Sequence, residues 1–91
     1  MQTTDPCALN ALSFICNTLK KQKSVSFNDV MGSSECKKFS VKEIGTALEL
    51  LRRNGLVKAS SRFGCSELLE FSATEVIGKG AELLKSMGFR N

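Results

Sequence analysis

The run "SVKEIGTALELLRRNG", Ser40 to Gly55, constrains the fold more than any other stretch, because both ends of a helix are written into it. Ser40 with Glu43 three residues later forms a capping box, in which each side chain accepts the other residue's backbone N–H. Gly55, after Asn54, supplies the left-handed residue on which helices commonly stop. Between these signals Ile44, Ala47, Leu48 and Leu51 share one face at about 100° per residue, so that face must pack on a core supplied by the rest of the chain. Lys42, Thr46, Glu49 and Arg53 fall on the opposite face, where the same spacing predicts solvent and an i,i+4 pair between Glu49 and Arg53.

The flanking sequence supplies the packing surface. Asp5-Pro6 predicts a helix start, with Asp as cap and Pro at the first helical position. Ala8, Leu12, Ile15 and Leu19 then recur at helical spacing until "KKQK", Lys20 to Lys23, turns the chain polar. "VSF", Val25 to Phe27, predicts a brief strand, and Ser26 with Asp29 predicts the cap of a short helix from about Phe27 to Gly32. "GSSECKK" reads as a loop. Leu56 to Ser60 and Cys65 to Ser72 predict two strands joined by "SRFG", with Gly64 in the turn, although "SELLE" within the second also suits a helical turn. A final helix is expected from about Thr74 to Met87, interrupted by Gly78 and Gly80.

With 91 residues, 42% of them hydrophobic, the chain is expected to form a single domain over 1–91 with one core. No apolar run approaches the roughly 20 residues of a membrane span, and the first residues carry no signal-peptide pattern. The expectation is an intracellular protein without membrane contact, nuclear in a eukaryote or cytoplasmic in a prokaryote. Cys7, Cys16, Cys36 and Cys65 include no C-x-x-C pair and the chain has no His, so they read as reduced small residues, with no metal or cofactor expected. The net charge of +4 is modest, but Lys20 to Arg62 holds ten basic and four acidic residues, a local balance of +6.

The order helix, short strand, helix, helix, hairpin, helix resembles the winged helix-turn-helix superfamily. The residues that carry the likeness are "VSFNDVM", "SVKEIGTALELLRRNGLVKAS" and "FSATEVIGKGAELLK", which together cover nearly the whole chain. The resemblance implies an α+β fold, mainly α: three helices, a wing sheet of two to three strands and a C-terminal helix. It also implies double-stranded DNA as partner, as in winged-helix domains of replication, repair and transcription proteins, with the third helix in the major groove. On that reading Ser40, Lys42 and Thr46 meet bases or backbone, Lys37, Lys38 and Arg53 meet phosphate, and Lys58 is a further DNA-binding residue. Arg62 and Phe63, expected at the wing tip, reach a minor groove or stack on bases; the alternatives are a solvated turn residue for Arg62 and, for Phe63, a ring folded back onto the wing, the arrangement favoured for an aromatic.

The alternative is a protein-interaction module within a larger complex, presenting Leu50, Phe63, Met87 and Phe89 as an apolar patch. Two features separate the readings: whether Lys37, Lys38, Lys42, Arg53 and Arg62 make one positive surface, and whether Leu50 and Phe63 meet. An enzyme is not expected, because no nucleophile has an evident base beside it.

Overall fold

A computed structural model describes residues 6–64 and 67–86. In chain order the elements are α1 (Pro6–Thr18), β1 (Val25–Ser26), α2 (Phe27–Met31), α3 (Val41–Arg53), β2 (Val57–Gly64), β3 (Glu67–Val76) and α4 (Gly78–Ser86). The domain is therefore α+β, with more residues in helices than in its one three-stranded antiparallel sheet, of order β1-β3-β2. No helix among the described residues is long and apolar enough to cross a membrane. The expected cap Asp5 and the expected anchors Met87 and Phe89 lie outside the described residues.

Local chemistry explains both central helices. Ser26 ends β1 and caps α2: its Oγ accepts from Asp29 N at 3.2 Å, and Asp29 Oδ2 accepts from Ser26 N at 3.0 Å. The Ser26 backbone N–H is the main reason the Asp29 carboxyl is held below its ordinary value. Ser40 and Glu43 repeat the reciprocal pair on α3, at 3.1 and 3.0 Å. At the other end Gly55 takes φ +70°, and the Leu56 and Gly55 N–H groups donate to the carbonyls of Leu51 and Arg52 at 3.0 and 3.2 Å. That is a Schellman closure, sealed by buried Leu51 and Leu56.

The core lies between α1, α3 and one face of the sheet. Leu12 and Ile15 from α1, Val25 and Val30, Ile44, Leu48 and Leu51 from α3, and Leu84 from α4 are all buried. Each contributes about 1.5–3 kcal/mol by leaving water. Cys7 and Cys36 are buried among them as small apolar groups, and burial pushes the Cys36 thiol up.

Two strand boundaries differ from expectation. The hairpin does not turn at Ser61–Gly64: Arg62 pairs with Glu70, Phe63 with Leu68 and Gly64 with Glu67, so Arg62 and Phe63 are strand residues rather than tip residues. The register shifts leave Leu69 and Thr74 of β3 without opposite numbers, two bulges. They allow Leu68, Phe71, Ala73 and Val76 to face inward at spacings of three, two and three, which a plain alternation forbids. The C-terminal helix consequently starts at Gly78, not Thr74, and Gly80 sits where its backbone closes on the Leu56 carbonyl and Val76.

Candidate functional site

The approach to α3 is a short loop whose path is pinned. Ser33 Oγ donates to the Val30 carbonyl at 2.6 Å and accepts from Cys36 N at 3.3 Å, while Asn10 Nδ2 of α1 donates to the Glu35 carbonyl at 3.1 Å. This fixes the backbone just ahead of Lys37 and Lys38. Both lysines are exposed, as is Lys42 in the first turn of α3, and none of the three forms an ion pair among the described residues. The Lys38 ammonium lies 5.3 Å from the centre of the Phe39 ring, a cation–π contact that leaves its charge facing water. Ser40 is exposed, but its hydroxyl oxygen is occupied as the helix cap.

The far end of α3 is built differently. Glu49, expected on a solvated face, is buried at 9% exposure. Its carboxylate accepts from Arg52 Nε at 2.7 Å and Nη2 at 2.6 Å, and from Arg53 Nε at 3.0 Å; Ser61 Oγ reaches it at 3.4 Å. The Arg52 hydrogen bonds are the chief cause that holds Glu49 below its ordinary value, against the opposing pull of burial, and Arg52 is raised in return. The i,i+4 pair with Arg53 is present as the spacing predicts, yet its carboxylate is buried and shared with a second guanidinium, while the Arg53 side chain remains mostly exposed. Hairpin residue Ser61, twelve positions on in the chain, is the partner that periodicity alone could not reveal.

The hairpin separates the remaining candidates by strand parity. Val57, Ala59, Ser61 and Phe63 lie opposite the inward row Val76, Ala73, Phe71 and Leu68, and so face α3. Lys58, Ser60 and Arg62 face the other way. Arg62 pairs with Glu70 at 3.1 Å, with both side chains mostly in water, and Lys58 lies opposite Glu75 in the register. The expected positive surface is therefore divided: Lys37, Lys38, Lys42 and Arg53 follow the loop and α3, while Lys58 and Arg62 occupy the outer sheet face, each across from a carboxylate.

Between α3 and the hairpin runs a groove of about 500 Å³. Lys42, Thr46, Glu49 and Arg53 form one wall, the residues expected to be the outer face of the helix. Phe63 and Leu68 form the other, so Phe63 neither folds away nor stands at a tip: it is 44% exposed and lines the groove opposite the helix. Leu50, expected beside Phe63 on an apolar patch, lines the same groove. Gly45 is buried at the contact between helix and hairpin, where an added Cβ would lie 3.4 Å from Leu68 Cβ and 3.8 Å from the Phe27 ring. Val41, at 62% exposure the most exposed large hydrophobic residue described, lines the groove too. Helical spacing places it three residues before Ile44 and seven before Leu48, at the edge of the apolar stripe, so periodicity reads it as core; it is the first residue of α3, and an apolar residue at the open end of a stripe is the signal that could have found it.

Comparison of the chain with protein-family models, with curated proteins and with solved structures gives no significant match.

Proposed function

We propose that the chain is a winged-helix domain that binds double-stranded DNA through the loop ahead of α3 and the first turns of that helix. The observation that carries this reading is the cluster of Lys37, Lys38 and Lys42: three exposed cations within six residues, none ion-paired among the described residues, leading into the positive pole of a capped helix. The element order and the sheet order β1-β3-β2 support the fold assignment, since they leave α3 and the hairpin side by side. On this reading Lys37 and Lys38 hold phosphates, Lys42 and Thr46 reach the groove edge, and Arg53 supplies charge only in part because Glu49 shares it.

The test is fluorescence anisotropy on a labelled duplex, a single strand and a fork at two salt concentrations, with wild type and the Lys37→Ala/Lys38→Ala/Lys42→Ala variant. Wild-type affinity should fall with salt, and the variant should bind more weakly, with a slope shallower by about 0.9 for each phosphate that the missing ammonium groups would have neutralised. Absence of duplex binding at low salt, or a variant that binds as wild type does, would refute the assignment.

A further inference from the structure

The groove between α3 and the hairpin has a chemistry that phosphate binding does not use. Val41 and Phe63 are exposed at 62% and 44%, with Leu50 and Leu68 beside them, so the apolar part of the lining reaches solvent. A sugar-phosphate backbone gains little from such a surface, whereas an apolar side chain gains about 25 cal/mol for each Å² it removes from water. Lys42 and Arg53 are the cations of the groove wall. Among the described residues its carboxylate is that of Glu49, which is engaged by two guanidinium groups and a serine hydroxyl. The charge that remains for an occupant is positive.

We infer that this groove docks a short segment of a partner protein with apolar anchors and flanking Asp or Glu residues. The anchors cover Val41, Leu50 and Phe63, and the acidic flanks meet Lys42 and Arg53. Val41 to Arg53 spans twelve helical rises, about 18 Å, which matches roughly five or six residues of extended peptide. The inference does not depend on DNA binding, whose phosphate contacts at Lys37 and Lys38 lie outside the groove; the two surfaces share Lys42, Thr46 and Arg53. The two activities can therefore fail separately.

The probe is a library of random peptides displayed on phage and selected against the full chain. The enriched consensus is then synthesised with fluorescein and titrated by anisotropy against wild type, Phe63→Ala, Val41→Ser, Lys42→Glu and Lys37→Ala/Lys38→Ala, each checked for folding by circular dichroism. Both apolar positions are substantially exposed, so these variants should fold. The expected consensus carries two apolar anchors beside acidic residues. Phe63→Ala or Val41→Ser should weaken it by about tenfold or more, in line with removal of an anchor. Lys42→Glu should shift preference toward basic flanks. Lys37→Ala/Lys38→Ala should leave peptide affinity unchanged, while Phe63→Ala should leave duplex affinity unchanged. No enriched consensus, a consensus without acidic flanks, or binding indifferent to both apolar variants would overturn the assignment. So would concentration-dependent self-association abolished by Phe63→Ala, which would put a second copy of the chain in the groove.

Discussion

The two ends of α3 carry cations of the same formal charge in opposite states. Ahead of the helix, Lys37, Lys38 and Lys42 stand in water without carboxylate partners among the described residues. At its end, Arg52 and Arg53 close on Glu49, whose buried carboxylate also meets Ser61 of the hairpin, while the Arg53 side chain itself stays mostly exposed. A residue count places both ends in one basic patch. Geometry leaves the first end with positive charge unpaired among the described residues and ties the second to the hairpin through Glu49 and Ser61. What separates them is the acid four residues before Arg53, and whether the fold covers it.

Removing that acid is the largest available break in the comparison. Glu49→Gln keeps the shape but removes the charge and one of the two acceptor oxygens, so at most two of the three guanidinium hydrogen bonds survive, weakened, and an amide N–H is set against a guanidinium N–H. Chemical denaturation should show a loss of about 1–3 kcal/mol. The freed charge should also make the end of α3 resemble its start, so duplex affinity should rise while stability falls. The same carboxylate sets an acid limit. Because its folded value lies below its ordinary 4.5, its contribution is present above that pH and is lost as pH falls through the lower folded value. Unfolding free energy measured from pH 6 to pH 3 should therefore drop less steeply in Glu49→Gln than in wild type. Parallel curves would mean that the clamp carries no stability.

The other end is sharpened by Ser40→Ala, with a smaller effect. The substitution removes the oxygen that accepts from Glu43 N and should cost about 1 kcal/mol, a fall of roughly 4–8 °C in midpoint for a domain of this size. Only the first turn loses its cap, so Lys42 should lose its fixed position while the Glu49 clamp remains intact. Amide exchange that speeds up across Val41 to Ile44, with Glu49 to Arg53 unchanged, is the expected pattern. Faster exchange along the whole helix would mean that the two ends are coupled.

These contrasts mark what was legible in the sequence. Both capping boxes and the Gly55 stop were readable, because a helix end is decided by residues within four positions of one another. The inward face Ile44, Ala47, Leu48 and Leu51 was readable for the same reason. The hairpin was not, because the bulges at Leu69 and Thr74 break the period of two that identifies a strand. "SELLE" then looks like a helical turn, and Gly64 like the turn of a shorter hairpin. The site was half legible. Lys37, Lys38 and Lys42 stand exposed where the pattern puts them, whereas the burial of Glu49 and the parity that sends Phe63 inward and Arg62 outward depend on pairing with parts of the chain well beyond one helical turn.

Arg62 offers the smallest energetic effect and the sharpest statement about which surface acts. Its ion pair with Glu70 is exposed on both sides, so Arg62→Ala should change stability by less than about 1 kcal/mol. The side chain faces away from α3, on the side of the sheet that also carries Lys58, Ser60 and Ser72. If the partner surface is the loop and helix, Arg62→Ala should leave duplex binding and its salt slope as they are in wild type. A clear loss of duplex affinity in this variant, with Lys37→Ala/Lys38→Ala silent, would move the interface to the outer face of the sheet. The charge of Lys37 and Lys38 would then be the solvated surface, and the contrast between the two ends of α3 would concern stability alone.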